Sequence, residues 1–150
     1  MTSDKEIELN ETQLKVSSVL NKDNKNYGKK NLIDGSEETC WNSEAGSSQW
    51  IQITPTNSFS LNSIAIEFQG GFAAKRFVIE YRQENGTFTS IAEFYPDDHG
   101  KLQISFSFIY VFRLPTPFTI DQSPFRLTFY DSHDTFGRII IYVLKIYENK

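Results

Sequence analysis

Residues 49–72, QWIQITPTNSFSLNSIAIEFQGGF, contain two runs in which apolar and polar side chains alternate, joined by a polar turn. Alternation with a period of two is typical of β-strands that bury one face. In the second run, the residues expected to face the interior are Leu61, Ile64, Ile66 and Phe68. That run stops at Gly70 and Gly71, and paired glycines permit positive φ and the close approach of a ligand. The stretch predicts a strand that ends in a loop able to bind.

Short β-like runs of the same kind recur along the chain, separated by Gly, Pro, Asn and Asp turns. They lie at residues 14–21, 48–54, 59–69, 76–82, 87–95, 101–108, 125–131 and 137–148. Seven or eight such runs, with no long window of helical periodicity, predict an all-β sandwich. We expect a polar N-terminal arm at residues 1–12 and one β-sandwich domain at residues 13–150. The apolar, Pro-punctuated segment 105–124 is either an added strand at a sheet edge or an insertion.

Composition narrows the class of protein. The chain has 150 residues, enough for one domain with a core, and its 13 phenylalanines suit a β-rich interior. The net charge is −4, and no run of Lys or Arg could coat a phosphate backbone. Direct nucleic-acid binding is therefore not expected.

The single cysteine and the polar N-terminus bear on location. Cys40 has no partner for an intrachain disulfide, and the first residues lack the apolar stretch of a signal peptide. The longest apolar run, around residues 106–114, is too short to span a bilayer. Loop 21–30 offers only Tyr27 as a weak membrane anchor. We expect an intracellular protein of the cytoplasm or nucleus that does not bind membranes.

The order of several motifs resembles the discoidin, or coagulation factor type C, domain family. The matching residues are Asp34, Gly35, Thr39, Trp41, Trp50, Gln69, Gly70 and Arg126, within a resemblance that runs from about Leu14 to Tyr147. The resemblance implies an eight-stranded jelly-roll β-sandwich of the galactose-binding-domain-like fold. Secreted members join their termini with a cystine, and its absence here fits an intracellular subgroup.

Within this family, the chain is most similar to small intracellular members associated with nuclear receptors. The shared motifs are GKKNLIDGSEETCWNS (28–43), SQWIQI (48–53), FQGGF (68–72), EFYPDD (93–98) and FGRIIIY (136–142). The resemblance implies a non-catalytic, monomeric binding module that recognises a protein partner, such as a nuclear receptor or another transcription regulator, and represses its activity. The alternative is a carbohydrate-binding module of the same fold.

The candidate binding surface lies on loops expected at one rim of the sandwich. Its predicted residues are Trp41, Asn42, Gln69, Gly70, Gly71, Phe72, Phe136 and Arg138. For the sugar alternative, Arg138, Phe72 and Asn42 would supply polar and aromatic contacts. The structural alternatives are a Gly-rich turn with Phe72 tucked inward and an Arg138 that pairs with a nearby Asp.

A structural calcium ion is a further expectation that the resemblance implies, although no cofactor is required. The ligands would be the Asn31 carbonyl, Asp34, the Ser36 carbonyl, Thr39 and Glu148. The alternative for loop 34–39 is an Asx-turn in which Asp34 bonds local N–H groups.

An enzyme is the third hypothesis, and the sequence speaks against it. Only two histidines occur, His99 and His133, too few for a zinc site, and no nucleophile–base pairing is visible. Cys40 follows Glu37 and Glu38, and nearby acids are expected to raise a thiol pKa. We therefore predict no catalytic residue.

Overall fold

The computed structural model describes residues 4–96 and 107–149, with the side chains of 107 and 108 outside that description. Ten strands lie within this part of the chain: β1 Lys5–Ile7, β2 Leu14–Val16, β3 Trp41–Asn42, β4 Ser48–Ile53, β5 Phe59–Gln69, β6 Ala74–Arg82, β7 Phe88–Phe94, β8 Ser107–Ile120, β9 Phe125–Ser132 and β10 Ile140–Glu148. Helix is limited to one turn, α1 (Asn24–Tyr27), and 3₁₀ segments at Glu11–Gln13, Leu20–Lys22 and Lys29–Leu32.

The strands form two antiparallel sheets. One sheet has the order β1-β10-β5-β8, with β3 also paired to β10, and the other has the order β2-β4-β9-β6-β7. From β4 to β10 the chain passes repeatedly from one sheet to the other, staying in the same sheet only from β6 to β7. The predicted all-β jelly-roll sandwich is confirmed. The strand count exceeds eight because the short β1 and β3 pair with β10.

The core lies between the two inner faces and is rich in aromatic rings. Phe77 is fully buried, and its ring centroid lies 4.7 Å from that of Phe112 and 5.5 Å from that of Phe129. Phe68 meets Phe129 edge-on at 6.1 Å. Edge-on and tilted ring pairs at these distances are favourable, which explains why the core of this protein contains so many phenylalanines.

Two segments differ from the sequence-based expectation. In the segment expected as a polar arm, Lys5–Ile7 forms an edge strand, with Ile7 opposite Ile146. The first predicted strand is shorter than residues 14–21, because the hydroxyls of Ser17 and Ser18 donate to the Gln49 side chain at 2.6 and 2.7 Å, and the chain then turns into a 3₁₀ segment.

Segment 105–124 is a strand at a sheet edge over most of its length. Within it, Ser107–Ile120 pairs with β5, and Val111 lies opposite Ala65. The strand predicted at 101–108 lies mostly outside the described residues.

Strand directions give the sandwich two distinct ends. β5 and β9 end, and β4 and β10 begin, at the same end, which we call the rim. The other end, where β4 stops at Ile53 and β9 starts at Phe125, we call the opposite end. The loops after β3, β5 and β9 therefore lie at the rim, and the loops after β4 and β8 lie at the opposite end.

Candidate functional site

Three rim loops, those after β3, β5 and β9, are joined by backbone hydrogen bonds. The N–H of Gly46 donates to the carbonyl of Phe136 at 3.0 Å, and the N–H of His133 donates to the carbonyl of Ala73 at 2.9 Å. Segments distant in sequence thus form one continuous surface. This arrangement confirms that the loops containing Phe72 and Arg138 are neighbours.

Glycines make this close approach of backbones possible. Gly137 has a φ of +86°, and a Cβ there would lie 1.9 Å from the carbonyl oxygen of Gly46. Gly71 also has a positive φ, +85°, in the turn where the N–H of Phe72 donates to the carbonyl of Gln69 at 3.0 Å. The Gly pair after β5 therefore builds a tight rim turn, since only glycine adopts this conformation without strain.

Arg138 is the centre of the rim. Its Nε and Nη2 donate to the two carboxylate oxygens of Asp134 at 3.0 and 3.2 Å. Its Cζ lies 5.3 Å from the ring centroid of Phe72 and 5.8 Å from that of Phe136, within the range of cation–π attraction. The expected pairing of Arg138 with an Asp is present, and the pair also holds two aromatic rings in place.

The Asp134–Arg138 pair keeps both charges at neutral pH. Burial opposes ionisation of Asp134, but the hydrogen bonds from Arg138 outweigh it and hold the pKa of the carboxyl below its usual value. The same hydrogen bond raises the pKa of Arg138. A bidentate pair of this kind fixes the loop while adding no net charge to the surface.

A shallow cavity of about 540 Å³ opens beside this pair, and we call it the rim cavity. Its wall includes Ser47, Lys75, Asp131, Asp134, Thr135 and Phe136. The ring of Phe136 is 68% exposed. Hydroxyls, both signs of charge and one exposed ring suit recognition of a polar ligand with an apolar face.

Sequence reasoning missed Lys75 and Ser47 as parts of this site. Neither residue lies in a motif of its own, and their only signal was position next to a predicted rim loop. Sequence reasoning also did not assign Asp131 to this surface. It has a φ of +54°, a conformation that non-glycine residues rarely adopt and that is enriched at functional loops.

Trp41 does not belong to the rim surface, which corrects the prediction. It is fully buried, its Nε1 donates to the carbonyl of Ser18 at 2.9 Å, and its ring packs 6.5 Å from Phe129. The side chain faces the core because it lies on the inner side of β3. Trp41 therefore packs in the core beneath the rim loops and is not accessible to a partner.

The other predicted residues lie behind the exposed surface. Asn42 is only 7% exposed, and no described residue donates a hydrogen bond to its buried Oδ1. Gln69 accepts a hydrogen bond from the hydroxyl of Tyr142 at 2.8 Å, and Gly70 is buried. Of the predicted set, the structure brings together Gly71, Phe72, Phe136 and Arg138.

The candidate calcium loop is closed by its own hydrogen bonds. Asp34 accepts from the N–H of Ser36 at 3.0 Å and from the hydroxyl of Thr39 at 2.5 Å. The side-chain amide of Asn31 donates to the carbonyls of Asn26 and Cys40 and so links the two sides of this region. This geometry is that of the Asx-turn alternative.

The expected calcium ligands include only two acids, Asp34 and Glu148, and a calcium ion at this loop stays a prediction. Residues 4–96 and 107–149 contain no group of three His, Cys, Asp or Glu side chains arranged to hold a metal ion. Glu148, the ligand expected from the last strand, ends β10 and lies across from Lys5 of β1. The hydrogen bonds within loop 34–39 hold its shape without requiring a metal ion.

Cys40 is a poor nucleophile. Burial, rather than the acids expected from the sequence, raises the pKa of its thiol to about 11. The thiol is therefore protonated at neutral pH.

Across the described residues, no helix combines the length and apolar character needed to cross a bilayer.

The sequence is similar to a protein-family model and to named relatives. The F5/8 type C domain model matches residues 13–112. The human nuclear receptor 2C2-associated protein is 39% identical over 140 residues, which cover 93% of this chain and 94% of that protein. The Danio rerio protein of the same name is 40% identical over 141 residues, 94% of each chain.

Solved structures share the fold at low identity. The F5/8 type C domain of a Bacteroides fragilis protein has a TM-score of 0.74 and 14% identity, covering 98% of this chain and 97% of its own. The family 32 CBM of C. perfringens NanJ, solved in complex with galactose, has a TM-score of 0.68 and 17% identity, covering 90% of this chain and 92% of its own.

Proposed function

The chain belongs to the F5/8 type C, or discoidin, domain family, and we propose that it is a non-catalytic module whose rim binds a protein partner. The observation that carries this proposal is the exposed ring of Phe136, held beside the rim cavity by tied loops and by Arg138. Rigidly placed aromatic side chains are frequent anchors of protein interfaces.

The names of the relatives suggest which partner to test first. They are called nuclear receptor 2C2-associated proteins, and they match this chain over nearly its whole length. We propose a nuclear receptor, or another transcription regulator, as the partner of this chain. We also propose that the protein acts in the cytoplasm or nucleus. There it would bind as a monomer, through its one rim, and repress the activity of its partner.

The rim is built for binding rather than for chemistry. Arg138 and Asp134 hold each other, so neither is free to transfer a proton at neutral pH. Cys40 is half-buried, and its raised pKa keeps the thiol protonated. A binding role needs only a shaped, rigid surface, which the rim supplies.

The test is a binding titration of purified nuclear receptor 2C2 with three forms of the protein. Phe136→Ala removes the exposed ring, and we expect Kd to rise at least about tenfold, as for an interface anchor. Val111→Ala is the matched control, because Val111 is 59% exposed on β8 and away from the rim. Its Kd should change by less than about twofold.

Two results would contradict the proposal. Equal affinity of Phe136→Ala and wild type would remove the rim from the interface. Absence of binding by the wild type would remove this receptor as the partner.

Carbohydrate binding is the second candidate. The observation that favours it is the galactose complex of a solved neighbour with the same fold, together with the exposed ring beside carboxylates in the rim cavity. Galactose titrated into ¹⁵N-labelled protein should then shift the amide signals of Ser47 and Phe136 in a saturable way. Unchanged spectra would exclude galactose as its ligand.

A further inference from the structure

Four side chains form a continuous line across the outer face of the second sheet, close to the rim. The Cζ of Arg76 on β6 lies 4.3 Å from the ring centroid of Tyr130 on β9. Its Nη1 donates to Oε2 of Glu93 on β7 at 3.0 Å, and the hydroxyl of Tyr95 donates to the same oxygen at 2.6 Å. We call this line of side chains the outer ridge: Tyr130, Arg76, Glu93 and Tyr95.

The outer ridge faces solvent because side chains alternate between the two faces of a strand. Its neighbours along the chain, Phe77, Phe94 and Phe129, pack together on the core side. At the end of the ridge, Tyr95 is 70% exposed, and Phe136 at the rim is 68% exposed. Among the large apolar side chains that the structure describes, these two are the most exposed.

Tyr95 is held in one orientation although it is exposed. The pKa of Glu93 lies below its usual value, first because of the hydrogen bond from Tyr95 and then because of the one from Arg76. The carboxylate is therefore ionised at neutral pH and accepts from both groups. Arg76 is itself supported by cation–π attraction to the ring of Tyr130. An exposed ring that is already ordered loses little side-chain freedom when a partner binds it.

The outer ridge begins where the wall of the rim cavity ends. Lys75 and Asp131 line that cavity, and the adjacent residues on the same strands, Arg76 and Tyr130, pair with each other and start the ridge. β7 lies beyond β6, so the far end of the ridge is two strand spacings from β9, roughly 10 Å. The rim cavity and the outer ridge therefore form one unbroken patch.

We propose that the protein bound at the rim also covers the outer ridge, with Tyr95 as a second anchor of the same interface; this inference rests on the proposed function. A standard protein interface buries about 800 Å² on each partner, enough to include both Phe136 and Tyr95. Tyrosine and arginine are frequent among the residues that dominate binding energy. A monosaccharide in the rim cavity that touches Phe136 would not reach Tyr95, so the patch fits a protein surface rather than one sugar.

The test measures Kd for purified nuclear receptor 2C2 with variants of the full chain. Tyr95→Ala removes the second ring, and we expect Kd to rise at least about fivefold. Tyr95→Phe keeps the ring and loses only the hydrogen bond to Glu93, so the rise should be smaller, about twofold. Ile109→Ala is the matched control, because Ile109 is 57% exposed on β8 of the other sheet, and its Kd should change by less than about twofold.

The double variant with Phe136→Ala and Tyr95→Ala tests whether both rings contact one partner. Effects of residues that are well separated in an interface multiply, so this variant should bind at least about fiftyfold more weakly than wild type. Melting curves of each variant show that the fold is intact, since both side chains are largely exposed.

The outcomes separate this inference from the rim proposal. If Phe136→Ala weakens binding while Tyr95→Ala binds like wild type, the rim proposal stands and the second anchor is overturned. Equal losses for Tyr95→Ala and Ile109→Ala also overturn it, because exposure alone would then explain the effect. Absence of binding by the wild type overturns both proposals.

Discussion

At the scale of single residues, Gly137 decides whether the rim loops can meet. Its φ of +86° and its contact with the Gly46 carbonyl leave no room for a side chain. We expect Gly137→Ala to lower the free energy of unfolding by about 2–3 kcal/mol, since strain and a steric clash add. Urea denaturation measures the loss.

Gly35→Ala is the matched control for this substitution. Gly35 has a similar φ, +75°, but a Cβ there would meet nothing within 4 Å. Gly35→Ala should lower the free energy of unfolding by about 1 kcal/mol, the cost of a positive φ for a residue with a Cβ. Equal losses for the two variants would show that the approach to Gly46 does not matter.

The ion pair of Asp134 predicts how the free energy of unfolding depends on pH. Its pKa is lowered in the folded protein, so it stabilises the fold above the pKa of the unfolded chain. That contribution is lost as pH falls through the lower, folded pKa. Asp134→Asn should therefore cost about 1–2 kcal/mol near pH 7, and the difference from wild type should shrink below about pH 4.

Urea melts of both proteins at several pH values provide the measurement. A gap between Asp134→Asn and wild type that stays constant down to about pH 2 would contradict an ionised, paired Asp134. Asp23→Asn is a useful comparison, because the pKa of Asp23 is also lowered, first by the side chain of Asn26, but at an exposed helix cap and not by an arginine.

Part of the site could be predicted from single residues. Phe72, Phe136 and Arg138 lie in predicted turns next to predicted strands, and the family resemblance implies that these turns share one rim. Trp41 was wrongly included, because a two-residue strand shows no alternation that would reveal which face is buried. Lys75 was missed, since a lysine at the start of a strand is an ordinary surface residue by sequence.

At the scale of elements, the outer face of the second sheet is held by a stack across strands. The Cζ of Arg126 on β9 lies 4.0 Å from the ring centroid of Trp50 and 4.3 Å from that of Phe88. Arg126→Lys loses the flat guanidinium, and we expect a loss of about 1 kcal/mol in the free energy of unfolding. Thermal or urea melts measure it.

Arg113→Lys provides the control on another strand. Arg113 is half-exposed and pairs only with Asp4 in the described ion pairs, so its replacement by Lys should change stability by less than about 0.5 kcal/mol. A larger loss at Arg113 than at Arg126 would show that the stack contributes little.

The loop before β3 tests the calcium expectation. Because Asp34 accepts hydrogen bonds from Ser36 and Thr39, Asp34→Ala should cost about 1 kcal/mol without any metal. We expect the cost to be the same in EDTA and in calcium. A rise in the Tm of the wild type on adding calcium, absent in Asp34→Ala, would instead establish a calcium site.

Long elements were predictable and short ones were not. β5 was predicted with the bounds that the structure shows, because 11 residues give a clear alternation. β1 and β3 have three and two residues and acquire their pairing only from β10. Their formation depends on tertiary contacts, which no local pattern encodes.

At the scale of the whole molecule, the two ends of the sandwich are different surfaces. The rim combines tied loops, an internal ion pair and an exposed ring, whereas the opposite end carries the loops after β4 and β8. Only the family resemblance implied that the rim loops share one end, because the local sequence pattern does not give the order of strands in a sheet.

The most direct test of rim binding is hydrogen exchange of the chain, measured alone and in complex with nuclear receptor 2C2. The rim proposal predicts slower exchange of amides in the loops 43–47, 70–73 and 133–139. Amides of Thr119 and Ile120, where β8 ends away from the rim, should exchange at unchanged rates. Protection confined to the outer sheet faces or to the opposite end, with the three rim loops unaffected, would contradict the proposal.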